Sequence, residues 1–304
     1  MRVVFMGTPE FAVSSLERLY ADGHEIAGVF TKPDRPQNRG MKVVYSPVKA
    51  FALARGLQVY QPESPAAGSA HELIRGLECD IIAVVAYGRI LPRELLDLPP
   101  MGCVNIHASL LPKYRGAAPA QWAILNGEVE TGVTSMRISE EIDAGDIYSF
   151  KKTAIGEDET AGDVLGRLSS LGAELLGETI DAISSGNAVC IPQKHNEATY
   201  APPLNKEMSL IDWSDTALNI KRKVRGLNPW PVATAEFNRV VFKVFSVDIG
   251  TGNPGGAKPG EVISAGRSGI VVACRDAAII INELQAAGGK RMPAAEYLKG
   301  HTLT

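Results

Sequence analysis

The chain of 304 residues is poor in the side chains that carry redox and metal chemistry, with 4 cysteines and 5 histidines. Cys79, Cys103, Cys190 and Cys274 form no Cys-x-x-Cys pair, and the histidines form no His-Glu-x-x-His. A disulfide framework and a zinc site are therefore not expected, and the expected compartment is a reducing cytoplasm. Long hydrophobic runs are missing too. The first apolar stretch, "RVVFM", is cut short by Gly7-Thr8-Pro9 and has no signal-peptide cleavage pattern, and no later run reaches membrane-spanning length. No membrane partner is expected. The loop after that stretch, "GTPEF", is not a Gly-x-Gly-x-x-Gly loop, and Pro9 removes one backbone N–H from what would otherwise be a phosphate nest. A dinucleotide site is disfavoured.

What is present is an ordinary soluble composition, 45% hydrophobic and 21% charged, long enough for two cores. The net charge of −3 hides an asymmetry. Residues 1–205 carry 18 basic and 25 acidic groups, whereas residues 206–304 carry 13 and 9. A basic minor part beside an acidic major part hints at a polyanionic partner.

Apolar runs and helical stripes alternate through the first half: a strand at 2–7, a helix to Gly23, a strand at 24–31, helices near 46–56 and 68–77, and the strand-like "CDIIAVV" from Cys79. This alternation predicts an α/β domain with a doubly wound, mostly parallel sheet. Thr160 and Asp163 read as a capping box, followed by a stripe of Val164, Leu168, Leu171 and Leu175. Residues 1–189 are expected to form one domain and the Pro-containing, polar 190–206 a linker. Residues 207–304 are expected to form a smaller OB-like β-barrel, from strands at 232–237, 240–248, 260–265, 269–274 and 277–285.

One stretch asks for a chemical explanation: "VNIHASLLPKYRGAAP", residues 104–119. Asn105 and His107, two apart on a strand, project to the same face at its carboxyl end, where open α/β sheets bind ligands. Downstream, "DAGDIY" brings Asp143 and Asp146, and an aspartate beside a histidine can fix its tautomer. Two basic stretches stand out as well. Residues 31–49 hold Lys32, Arg35, Arg39, Lys42 and Lys49 against Asp34 alone, and follow the second strand on the carboxyl-end side of the sheet; "KRKVR" holds Lys221, Arg222, Lys223 and Arg225 at the start of the minor domain.

Taken together, "VNIHASLLPKYRGAAP", "DAGDIY", "GTPEF", "TKPDRPQNRGMK", "SPVK" and "LNPWP" resemble the folate-dependent formyltransferases over nearly the whole chain. The resemblance implies a Rossmann-like domain joined to an OB-like barrel, with Asn105, His107 and Asp143 as the catalytic set. It implies that Ser109, Leu110, Leu111 and Pro112 contact the folate, and that the formyl donor is 10-formyltetrahydrofolate, with no metal. Within the family it points to the branch whose acceptor is initiator methionyl-tRNA, with Arg39 and Lys42 in a loop that engages the acceptor end. No stable protein partner is expected. The chemistry suits the residues: an amine attacks the formyl carbon through a tetrahedral oxyanion, which an Asn N–H can hold while a His moves the proton. An α-amino group of pKa near ~8 is partly neutral at pH 7, so no strong base and no acyl-enzyme are required. Three alternatives share parts of the pattern: a formyltransferase for a sugar amine, a hydrolase releasing formate, and a non-catalytic RNA-binding module.

Overall fold

The computed structural model describes residues 1–37, 42–65, 68–251 and 256–303. The chain divides into two compact units. The first comprises 1–119, 130–154 and 165–202, and the second 120–129, 155–164 and 203–304.

The first unit is built on a seven-stranded sheet. Its strands are β1 (Arg2–Gly7), β2 (Glu25–Phe30), β3 (Val59–Tyr60), β4 (Ile81–Val85), β5 (Cys103–His107), β6 (Glu130–Arg137) and β7 (Ile147–Ala154), in the spatial order β7-β6-β5-β4-β1-β2-β3. Strands β1 to β5 pair in parallel, whereas β6 and β7 are antiparallel additions beyond β5. The unbroken apolar runs of β1 and β4 follow from this position: both strands are covered on both faces, and every residue of β4 is buried. Helices α1 (Val13–Ala21), α2 (Pro47–Ala54) and α3 (Gly68–Gly76) connect the first strands, and α4 (Arg93–Leu96) and α5 (Pro119–Leu125) follow β4 and β5 in the chain. α2 starts where Ser46 accepts the Lys49 N–H at 3.2 Å, with Pro47 in its first turn. The chain winds outward from β1 through β2 to β3, then returns to β4 on the other side of β1. The strand order thus reverses beside β1, and the carboxyl ends of β1, β2, β4 and β5 come out along one rim.

The capping box forms as read. Asp163 accepts from the Thr160 N–H at 2.9 Å and the Asp163 N–H donates to the Thr160 hydroxyl at 3.3 Å, opening α6 (Ala161–Ser184). Residues 190–202 read from sequence as polar linker, yet they are woven into the first unit. Ile191 bridges Ile147, Tyr200–Ala201 pairs with Arg115–Gly116, and Gln193 is 5% exposed.

The second unit holds an antiparallel sheet of β8 (Ala233–Phe237), β9 (Val240–Gly250), β10 (Val262–Gly266), β11 (Gly269–Ala273) and β12 (Ala278–Ala286), in the order β8-β9-β12-β11-β10. Each strand falls within two residues of its sequence reading. The expected barrel is met only as an antiparallel sheet: among the described residues no pairing joins β8 to β10, so the path stays open. The helix α7 (Ala217–Gly226) lays Ile220 and Val224 against Phe242, Val244 and Ile281.

Candidate active site

Strand β5 carries the constellation. Its pairing with β6 sets Asn105 opposite Met136 and His107 opposite Thr134, so the two polar residues share a face. Asn105 is half-buried, and its amide has no hydrogen-bond partner among the described residues. His107 is 6% exposed, and both its ring nitrogens face acceptors. Nε2 lies 2.8 Å from the Tyr114 carbonyl and Nδ1 lies 3.5 Å from the Asp143 carboxylate. A carbonyl can only accept, so Nε2 carries a hydrogen, and it is Tyr114 rather than Asp143 that sets the tautomer. At 3.5 Å the Nδ1–carboxylate pair is an ionic contact rather than a tight hydrogen bond.

Ser109, Leu110, Leu111 and Pro112 form the turn that leaves β5. Ser109 is fully buried and donates its hydroxyl to the Lys113 carbonyl at 2.6 Å. Thr134 clamps the same turn from β6: its hydroxyl donates to the Ser109 carbonyl at 2.7 Å and accepts the Leu111 N–H at 3.1 Å. Leu110 lies over Gly132. The Ser109 hydroxyl is thus committed to the turn.

Asp143 stands in the loop between β6 and β7 with φ of 51°, a left-handed backbone that Asp tolerates better than most residues. A Cβ at Gly145 would run into the Arg137 carbonyl, so the Gly of "DAGD" lets the loop fold back along β6. One carboxylate oxygen accepts the Gly116 N–H at 2.8 Å. The loop is tied down by a residue to which the sequence reading gave no role. Gln193 donates its amide to the carbonyls of Asp143 at 2.9 Å and Gly145 at 2.7 Å. Its carbonyl accepts from Arg115 Nη2 at 2.8 Å and Nε at 3.2 Å. Arg115 is 2% exposed and also reaches His195 Nδ1 and Glu141, each at 3.2 Å. A guanidinium this buried is expensive unless every edge is used, and the network uses it to join the post-β5 turn, the Asp143 loop and residues 193–195. Arg115 sat in the quoted motif, but its burial had no sequence signal, and Gln193 looked like any polar residue in a polar segment.

The basic residues are placed as follows. Arg39 lies outside the described residues, and Lys42 begins a two-residue strand, Lys42–Val43. In α7, Lys221 pairs with Asp158 at 2.5 Å, and the Lys223 ammonium donates to the Leu210 carbonyl. Arg225 donates to the carbonyls of Gly156, at 2.9 Å, and Glu157. Burial lowers the pKa of both Lys223 and Arg225. Arg222 lies against Gly127 and makes one long 3.4 Å contact to Asn219. Most of this cluster is therefore engaged inside its own unit. Among the described residues, no three His, Cys, Asp or Glu side chains converge as a metal site, and no helix is long and apolar enough to cross a membrane.

Residues 1–180 match the family model for formyl transferases, and residues 203–302 match that for the formyl transferase C-terminal domain. A methionyl-tRNA formyltransferase of Trichlorobacter lovleyi is 47% identical, over 99% of this chain and 95% of its own. One from Acetivibrio thermocellus is 44% identical, over 99% and 97%. Among solved structures, an N-formyltransferase of Helicobacter canadensis in complex with folinic acid and dTDP-3-aminofucose superposes with a TM-score of 0.70 at 21% identity, covering 96% of this chain and all of that one. HypX of Aquifex aeolicus superposes at 0.69 and 21%, covering this whole chain and 49% of HypX. With both halves matched and full-length relatives at such identity, the chain belongs to the formyltransferase family.

Proposed function

We propose that the chain transfers the formyl group of 10-formyltetrahydrofolate to the free amino group of initiator methionyl-tRNA, by direct attack and in the cytoplasm. The observation that carries this reading is an unpartnered Asn105 amide beside the His107–Asp143 pair, at the sheet rim of a chain 44% to 48% identical along its length to enzymes named for that reaction. The sugar N-formyltransferases stand at about 20% identity, which shows a shared fold alone.

The methionyl nitrogen forms a bond to the formyl carbon, and the carbonyl oxygen takes the charge of the tetrahedral species. The Asn105 N–H holds that oxyanion; such a donor typically contributes about 10²–10³ in rate. The C–N10 bond then breaks, and the proton lost by the methionyl nitrogen ends on N10. His107 moves it through Nδ1, the edge not taken up by the Tyr114 carbonyl. With acceptors at both ring nitrogens, the doubly protonated imidazole satisfies each, and the Asp143 carboxylate offsets its charge during transfer. The Ser109 hydroxyl is engaged by the Lys113 carbonyl, which supports direct transfer over a serine ester. Ser109 to Pro112, fixed by Thr134, shape the folate slot.

In this reading residues 1–189 carry the chemistry with 190–202 folded against them, and 207–304 meet the tRNA with an OB-like surface. Arg39 and Lys42 engage the acceptor end. In α7, Arg222 faces phosphate while Lys221, Lys223 and Arg225 brace the helix that presents it. Mass spectrometry of the product after incubation with formyl-folate and charged initiator tRNA tests the proposal. Formyl on the methionyl α-nitrogen, with no formylated protein when the acceptor is withheld, supports it; a formylated serine or free formate alone overturns it.

A further inference from the structure

The rim above β1, β2 and β4 encloses a cavity of about 390 Å³ whose lining includes Thr8, Lys32, Asp34, Arg35, Ser46 and Arg89. Its charge is one-sided. The Lys32 ammonium rests on the Cα of Gly88, a position with φ of 71° where any Cβ would collide with it. Lys32, Arg35 and Arg89 all line this one cavity, and burial, then the charges of Arg89 and Arg35, lower the pKa of Lys32. The lining acid, Asp34, is already engaged by the Lys49 ammonium and by the Gln61 amide at 3.0 Å. Among the described residues no carboxylate pairs with Lys32, Arg35 or Arg89. Ser46, the N-cap of α2, also lines the cavity, so the positive end of that helix opens onto it.

We propose that this cavity is an anion subsite that grips the phosphodiester on the 5′ side of the terminal nucleoside of the aminoacylated acceptor. The inference rests on the methionyl-tRNA reading above and deepens it. The spacing of the rim supports it. β4 adjoins β5, β1 is the next strand and β2 the one after. At about 4.8 Å per strand, the cavity lies roughly 5–14 Å from the strand bearing Asn105 and His107. Along an aminoacyl-nucleotide, eight bonds separate the amino nitrogen from the 5′ phosphorus, through the ester and the ribose. Three bonds of backbone span about 3.80 Å, so eight reach about 10 Å. An amine at Asn105 and His107 thus carries its own phosphate into the cavity. The sequence explains why side chains rather than backbone would hold the anion. Pro9 leaves the loop after β1 without a full set of N–H donors, and the cations replace a backbone nest.

The test compares two minimal acceptors, methionine esterified to adenosine and methionine esterified to adenosine 5′-monophosphate, each with formyl-folate and read as kcat/KM. Charge-assisted bonds of this kind contribute about tenfold or more each. The wild-type enzyme is expected to favour the phosphorylated acceptor by at least about tenfold, and Lys32→Met combined with Arg89→Met to bring that ratio close to one. The ratio is insensitive to a general loss of folded enzyme, because both acceptors meet the same protein. A wild-type ratio near one, or a preference that survives in the double variant, overturns the subsite. Transfer to full-length methionyl-tRNA is measured alongside. Its failure overturns the parent reading and the subsite together, whereas its success without a phosphate preference overturns the subsite alone.

Discussion

Replacing Gln193 with leucine keeps the volume and removes the amide that ties the Asp143 loop to the buried Arg115. Three partners are stranded: the carbonyls of Asp143 and Gly145, held at 2.9 and 2.7 Å, and the Arg115 guanidinium, held at 2.8 Å. Leaving a buried polar group unsatisfied costs about 1–3 kcal/mol, and partial relaxation brings the sum for Gln193→Leu to about 2–4 kcal/mol. For a unit of this size that is a fall in melting temperature of roughly 5–12 °C. The catalytic effect is separate. Asp143 holds a left-handed backbone that Gln193 helps to fix, so without the tie its carboxylate leaves its 3.5 Å position beside His107 more often. A fall in kcat of about 10- to 100-fold with little change in the KM for formyl-folate is expected, measured by initial rates well below the new melting temperature. Gln193→Glu sharpens the test, since it keeps an acceptor for Arg115 but cannot donate to the two carbonyls. It should recover part of the stability and little of the rate. A Gln193→Leu enzyme that melts early but turns over within about twofold of wild type would refute the idea that this network positions Asp143.

If Asp143 acts through His107, the His107→Ala, Asp143→Ala double variant should be scarcely slower than His107→Ala alone, and additive losses in initial rate would argue for separate roles. Burial pushes the Cys103 thiol up to about 12, with Cys79 and Asp97 adding to it, so alkylation at pH 8 should label the half-buried Cys190 well before Cys103, read by peptide mapping. Affinity for tRNA should fall with salt at a log–log slope of roughly −0.7 to −0.9 per phosphate contact; Arg39→Ala and Lys42→Ala should flatten that slope while sparing formyl-folate binding, and a slope unchanged in both would contradict their contact with the nucleic acid.

The strand and helix pattern was legible because periodicity and burial agree. β4 reads as a continuous apolar run because it is covered on both faces, and the longest segment between strands of the second unit, 251–261, is marked by its Gly and Pro content. Asn105 and His107 were legible for a similar reason, as polar groups at the end of an apolar strand. The long-range partners were not. Tyr114 reaches His107 through a backbone carbonyl, which any residue supplies, and Gln193 is 78 residues from Arg115, in a segment whose composition resembles a linker. Charge counting also left the local partners of α7 unseen. "KRKVR" is basic in sequence, but Lys221, Lys223 and Arg225 meet an acid or loop carbonyls within the same unit. Closure of the second sheet depends on whether its edges meet, and no strand pattern encodes that.

The central claim is that this rim formylates the amine of methionyl-tRNA, and a side-by-side acceptor assay tests it most directly. The enzyme is given 10-formyltetrahydrofolate with equal concentrations of charged initiator tRNA and a nucleotide-linked amino sugar, and formylated products are quantified by mass spectrometry. Formyl-methionyl-tRNA formed in large excess over formylated sugar, and abolished in Asn105→Ala, is the predicted result. Formylation of the amino sugar with methionyl-tRNA left unchanged would contradict it.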